Sequence, residues 1–268
     1  MQILDNKAIY IDSNHPIPVV NSAGILLMGL PGTGKTFTGT LIALRIIQKF
    51  GGLLEIADSK RSDLYNLKNY LVNGEKRVSA TPNQIARMLR IAVQNLNNRY
   101  EHFNYHWGWN WLDYHLRPVV IFLDETSATL AEASESKNLK NEILSYLKQL
   151  IYRGRQLGYF LILSGQRLSS YSIERDITLE LSTRIVMGGN PDSDTLRMAF
   201  PGVDVKSLSI PKSLPGHGLI YTDLSGTSTP QVFVSDDITN LDIPKTLNIL
   251  DTKANRRKFA DESSYWKW

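Results

Sequence analysis

Two kinds of apolar pattern alternate along this chain. Continuous apolar runs occur at Ile25-Leu26-Leu27-Met28, Val119 to Leu123 and Tyr159 to Leu163, and runs broken by one charge at Leu53 to Ala57 (Glu55) and Thr183 to Met187 (Arg184). Runs this short and this continuous predict strands buried on both faces, as in a parallel sheet. Between them the apolar positions recur at helical spacing. One helix runs through Leu41 to Ile47 and closes at Gly51-Gly52. A second begins at Thr81-Pro82-Asn83-Gln84, a threonine cap with proline at the first position and glutamine three residues on, and carries Ile85, Met88, Leu89, Ala92 and Leu96 on one face. A third, over about 138–157, carries Ile143, Leu147, Leu150 and Ile151. Gly218–Tyr221 and Gln231–Val234 predict a terminal β pair, and Ile9, Ile11, Ile17 and Val19 around Asp12 to Pro16 a short hairpin. Strand and helix in alternation imply an α/β fold, a mostly parallel sheet with helices on both faces. The expected organisation is a short β segment over 1–20, one domain over 21–240, and a tail over 241–268. The tail has no strong periodicity and is expected to be partly mobile.

Composition narrows the class only slightly. At 268 residues, with ordinary apolar and charged fractions, the chain can bury a full core, which excludes large-scale disorder. The absence of cysteine excludes disulfides and cysteine-ligated zinc and fits a reducing compartment. No apolar stretch is long enough to span a bilayer, and the N-terminus lacks the basic-then-apolar pattern of a signal peptide. A cytoplasmic location is expected, with any work at a membrane routed through an anchored partner. The net charge of +4 leans towards polyanionic partners.

The candidate chemistry begins at Gly29-Leu30-Pro31-Gly32-Thr33-Gly34-Lys35-Thr36, which fits the P-loop pattern G-x-x-x-x-G-K-[ST] and stands between a strand and a helix, as that loop must. The glycines let backbone N–H groups converge on one anion, and the helix start adds unpaired N–H groups and its positive dipole end. Lys35 supplies a charge for the β- and γ-phosphates and Thr36 a hydroxyl for Mg²⁺. The expected nucleotide contacts run from Gly29 through Phe37. The competing reading is a glycine-rich turn that matches by chance; the flanking strand and helix argue against it. The chain is therefore expected to bind ATP with Mg²⁺. The strand over Val119 to Leu123 ends in Asp124-Glu125, at the sheet edge where the P-loop also lies. Asp124 is expected to hold the cation through its water shell, and Glu125 to polarise the attacking water. A strand running into an acidic turn is the bland alternative. The next strand ends in Ser164-Gly165-Gln166-Arg167, where the Gln166 amide either senses the γ-phosphate or merely caps a loop. From the residues alone the two are equal.

In order along the chain stand the P-loop, Ala57-Asp58-Ser59-Lys60-Arg61-Ser62-Asp63-Leu64, Val120 to Glu125, Arg153-Gly154-Arg155-Gln156-Leu157-Gly158, Leu161 to Arg167 and Ser182-Thr183-Arg184-Ile185. Together these resemble the motor domain of FtsK/SpoIIIE-type DNA translocases, whose members include coupling ATPases of Gram-positive conjugative elements. The resemblance spans about residues 20–235. It implies a RecA-like P-loop NTPase fold and a hexameric ring with ATP sites between subunits and DNA, double- or single-stranded, in the channel. It implies Lys35, Glu125 and Gln166 as catalytic groups and Thr36 and Asp124 as metal-holding ones. Arg184 is the first choice for an arginine finger reaching the neighbour's nucleotide, with Arg167 second; a salt-bridged arginine at a strand start competes for Arg184. The chain departs from the family at Leu30-Pro31, closer to an AAA-type loop, and at Leu168 after Gln166-Arg167. The family's additional N-terminal domain and its winged-helix module are expected to be reduced or missing.

Other segments are less specific. Lys60-Arg61 and Arg153-Gly154-Arg155 read equally as phosphate contacts or as solvated charge. His102, Phe103, Tyr105, His106, Trp107, Trp109, Trp111, Tyr114 and His115 crowd one segment. Base stacking is conceivable there, but a packed loop or subunit interface is the favoured reading, and no metal site is expected. The principal functional expectation is an ATP-driven DNA translocase serving plasmid or mobile-element transfer. The alternative is a nucleotide-switched docking protein that presents a relaxase or replication protein, motivated by the short chain and the aromatic tail (Tyr265-Trp266-Lys267-Trp268). A kinase fits less well, since the acidic pair and Gln166 suit attack by water.

Overall fold

The computed structural model describes residues 6–166, 175–209, 211–224 and 226–268. Strands β1 (Ala8–Tyr10) and β2 (Pro16–Pro18) form the expected antiparallel hairpin. The main sheet contains β3 (Gly24–Gly29), β4 (Leu53–Asp58), β5 (Val78–Ser79), β6 (Val119–Asp124), β7 (Tyr159–Gly165), β8 (Thr183–Met187), β9 (His217–Thr222) and β10 (Gln231–Val234). Its order is β10-β9-β8-β3-β7-β6-β4-β5. The strands from β8 through β5 run parallel, while β9 and β10 return antiparallel at one edge. Every residue of β3, β4, β6 and β7 is buried, which is why β3, β6 and β7 read as apolar runs and β4 as one broken only by Glu55.

Helix α1 (Lys35–Phe50) crosses one face of the sheet. Gly39 makes that approach possible, because a methyl group there would lie 2.5 Å from the Phe122 ring. Helices α2 (Pro82–His102) and α4 (Lys137–Arg153), with the short α3 (Thr126–Ala133) between them in sequence, cover the other face. Side chains alternate along a strand, and Tyr159, which meets Gly154 just past α4, has the opposite parity to Phe122 in the β6–β7 register. The capping box predicted at Thr81 forms, with Gln84 reaching back to the Thr81 N–H.

The C-terminal segment differs from its expectation. Helix α5 (Ile243–Asn255) packs on α1, capped by Asp242 with Pro244 in its first turn. Its core-facing positions are Leu247, Asp251 and Ala254. A charged residue in that stripe hides the periodicity from a hydropathy reading. Beyond it, Arg99 on α2, buried, holds both carboxylate oxygens of Glu262 at 2.6 and 2.7 Å, and Asn95 exchanges hydrogen bonds with the Lys267 backbone. The aromatic segment is anchored by Trp111, buried edge-on to Phe50, while His106 stacks on Trp109 and His102 on Tyr265 at the surface. Trp107, 89% exposed at the turn before Gly108, and Tyr105, 65% exposed, project into solvent.

One core group makes stability depend on pH. Glu55 in the middle of β4 is buried, one carboxylate oxygen has no partner, and burial raises its pKa to about 7 against the opposing pull of Arg77. The unfolded chain ionises this group near 4.5, so unfolding releases a proton and stability falls as pH rises from there through about 7. Glu55→Gln is expected to stabilise the protein at pH 8 by about 1–3 kcal/mol and to be near neutral at pH 5. Denaturant midpoints at the two pH values check this, and an equal effect at both would refute it.

Candidate nucleotide-hydrolysis site

The C-terminal edge of the parallel strands gathers most of the predicted chemistry. Gly34 sits at φ 92°, a left-handed conformation that disfavours other residues, and it starts α1 with no side-chain cap. The first N–H groups of α1 are therefore left for a ligand, at the positive end of the helix dipole. Thr33 Oγ1 donates to the Leu30 carbonyl at 2.7 Å and Lys35 Nζ to the same carbonyl at 3.2 Å, so the loop already folds around its lysine. Gly216 N–H donates to the Thr33 carbonyl at 3.0 Å, bringing Pro215-Gly216 from the start of β9 over the loop.

Strand β7, inserted between β3 and β6, places Gln166 between the P-loop and the acidic pair. On β6, Asp124 is buried and accepts from Ser164 Oγ at 2.9 Å and from Thr36 Oγ1 at 3.4 Å. Burial raises the Asp124 pKa, helped by the nearby Glu125 and Asp58 carboxylates and opposed by Ser164 and Lys35. Burial likewise lowers the Lys35 pKa, with Glu125 and Asp124 opposing and Lys60 reinforcing it. Each group is thus short of counter-charge where a cation and a polyphosphate would supply it. Glu125 adopts φ 49° as the chain leaves β6 for α3, a strained conformation for a non-glycine residue. Its Oε1 lies 2.9 Å from Lys60 Nζ and 3.5 Å from Gln166 Nε2.

Lys35, Thr36, Phe37, Asp124, Glu125 and Gln166 all line one cleft of about 790 Å³, with Pro31, Gly32, Gly34 and Lys60 and with residues 234–239 on its far wall. Gly29, Leu30 and Thr33 line a smaller adjoining cavity with Gln166 and Pro215. No cluster of three or more metal-ligating side chains forms among the described residues. A divalent cation beside Thr36 and Asp124 would draw its other ligands from phosphate and water, as Mg²⁺ does.

Arg184 is not in that group. It pairs in register with Leu26, three residues before the P-loop edge at the Met187–Gly29 pair, and its guanidinium stacks on Tyr221 at 4.6 Å. Burial lowers its pKa, and Nε has no hydrogen-bond partner. Arg167 lies outside the described residues. Sequence reasoning did not single out Ser164, Pro215-Gly216 or segment 234–239. Ser164 was legible in principle, since a β6–β7 register ending on paired strand tips sets it opposite Asp124. The others come from the antiparallel β9–β10 edge, whose return to the P-loop has no local signature.

This fold and this cleft define a P-loop ATPase of the α/β class. The chain matches the ATPase family associated with various cellular activities (AAA) over residues 25–185, and it belongs to that family. It is also FtsK-like: it is 33% identical over 198 residues to the Ftsk domain-containing protein YdcQ of Bacillus subtilis (strain 168), a match covering 72% of this chain and 39% of that protein. Among solved structures, the conjugation coupling protein TcpA of pCW3 with ATPγS superposes with a TM-score of 0.74 at 18% identity, over 91% of this chain and 70% of that one. EssC (ATPases 2 and 3) from Geobacillus thermodenitrificans gives 0.69 at 16%, over 94% and 50%. These two show a shared fold. Among the described residues no helix is long and apolar enough to cross a membrane.

Proposed function

We propose that the chain is a cytoplasmic, ring-forming DNA translocase that spends ATP at its subunit boundaries to move DNA during transfer of a mobile element. The ordered motifs, the FtsK-domain relative and the fold shared with a conjugation coupling protein support the motor and its setting. The observation that carries the ring is the lining of the cleft. Its cations are Lys35 and Lys60, and no arginine is among its described residues. Transfer of a phosphoryl group to water develops charge that an arginine stabilises, by about 10³-fold or more in rate. A second copy is the natural donor, and Arg184, held away from its own cleft, remains our candidate for that role.

In this reading the α1 N–H groups and Lys35 bind the phosphates. Thr36 and Asp124 hold Mg²⁺, which when bound neutralises phosphate charge. Glu125 takes a proton from the attacking water, and Gln166 orients it. A hexamer, a relaxase and a membrane-anchored component of the transfer machinery complete the assembly. The docking alternative drew in part on the aromatic tail, in which Tyr265 stacks on His102 and Trp266 packs against the core. Removing the tail therefore disturbs the ATPase body as well and cannot separate the two functions.

DNA length does separate them. ATPase rate should rise with the length of added DNA and then level off, for one strand type more than the other. A rate indifferent to DNA of any length would overturn translocation and favour the switch.

A further inference from the structure

The lysine of the Asp58-Ser59-Lys60-Arg61 loop enters the cleft from a strand that holds neither the P-loop nor the acidic pair. The loop is tightly built. Asp58, at the end of β4 and in register with Asp124, accepts from the backbone N–H groups of Lys60, Ser62 and Tyr65 at 2.8–3.1 Å and from Ser62 Oγ at 2.8 Å. Arg61 turns through φ 53°. The result directs Lys60 Nζ to within 2.9 Å of Glu125 Oε1, the oxygen that Gln166 also approaches. Lys60 is 48% exposed and Glu125 9%, so the ammonium reaches from solvent to neutralise a nearly buried carboxylate. A half-exposed lysine adds little to folding by itself. Lys60 is also the cleft's second ammonium, close enough to Lys35 to influence its ionisation.

A carboxylate that must stand beside a γ-phosphate is repelled by it, and the repulsion is strongest in a partly dehydrated cleft. We propose that Lys60 is a positioning residue that offsets this repulsion, holding Glu125 at the cleft while a triphosphate occupies it. The flexible ammonium sits against the carboxylate before binding and stays on it afterwards, so that the γ-phosphate meets a neutralised pair rather than a bare anion. Gln166, on the same oxygen, fixes the direction in which the other oxygen faces water. The inference rests on Glu125 being the water-activating carboxylate, and the test separates the two claims.

The test is a double-mutant cycle of Lys60→Met and Glu125→Gln, with ATP and ADP affinities measured by fluorescent-nucleotide competition and turnover by phosphate release. Lys60→Met alone should weaken ATP about three- to tenfold, the scale of a partly exposed ion pair, and lower kcat at saturating ATP by about tenfold or more. ADP, which has no γ-phosphate, should bind with unchanged affinity. In the Glu125→Gln background, where no carboxylate charge remains to offset, Lys60→Met should change ATP affinity by less than about twofold. Lys60→Arg should restore most of the ATP affinity. Equal weakening of ATP and ADP, or the same loss in both backgrounds, overturns the proposal and marks Lys60 as structural or as a plain phosphate contact. Wild-type turnover in Glu125→Gln would instead remove Glu125 from its role; the ATP and ADP affinities would still decide whether Lys60 balances its charge.

Discussion

Glu125→Gln is expected to abolish turnover while leaving ATP bound. A positioned base contributes about 10²–10⁴-fold to rate, and the amide removes it without changing side-chain shape. The backbone tolerates the change because the strain at φ 49° belongs to the turn out of β6 rather than to the carboxylate. The Lys60 and Gln166 contacts at the site persist as weaker neutral ones. ATP affinity should hold or rise, since a negative charge facing the γ-phosphate is lost. Lys35→Met should do the opposite and remove binding, because the P-loop then lacks its phosphate counter-charge. Phosphate release at saturating ATP, with affinity measured in parallel, distinguishes the two variants. A Glu125→Gln protein that keeps more than about a tenth of wild-type kcat would show that another group activates the water.

How far that site was legible follows from where its parts lie along the chain. The P-loop, Asp124-Glu125 and Gln166 each sit at the end of a continuous apolar strand, so local pattern located them, and the parallel sheet brought their strand ends to one edge. The Lys60–Glu125 pair was not legible, because Lys60-Arg61 looks the same whether it faces solvent or a carboxylate 65 positions away. Arg184 shows the converse limit. Its motif was readable, yet only coordinates reveal it three residues short of the sheet edge and stacked on Tyr221. The C-terminal helix escaped for a different reason: its central core-facing residue is an aspartate, and its partner lies 174 positions upstream.

That aspartate underlies the second large effect. Asp251 and Arg77 are both fully buried, joined at 2.9 and 3.0 Å through Arg77 Nη1. Arg77 Nε and Nη1 also donate to the Leu54 and Val72 carbonyls, and Asp251 accepts from the Val72 N–H at 2.8 Å. The pair thus ties α5 to β4 and to the segment leading into β5. Desolvation already lowers the Arg77 pKa against the pull of Asp251, so the guanidinium depends on that carboxylate for its charge balance. Asp251→Asn leaves Arg77 with only Glu55 nearby, takes the counter-charge from Arg117, 3.9 Å from Asp251, and should cost about 3–5 kcal/mol. The double replacement Arg77→Met with Asp251→Leu should recover part of that loss, because it removes the more deeply buried of the two cations, while Arg117 still loses its carboxylate and Glu55 its nearby guanidinium. Denaturant unfolding of the wild type and the two variants decides the matter. If the single variant loses less than about 1 kcal/mol, α5 is held by its apolar contacts alone and the ion pair is incidental.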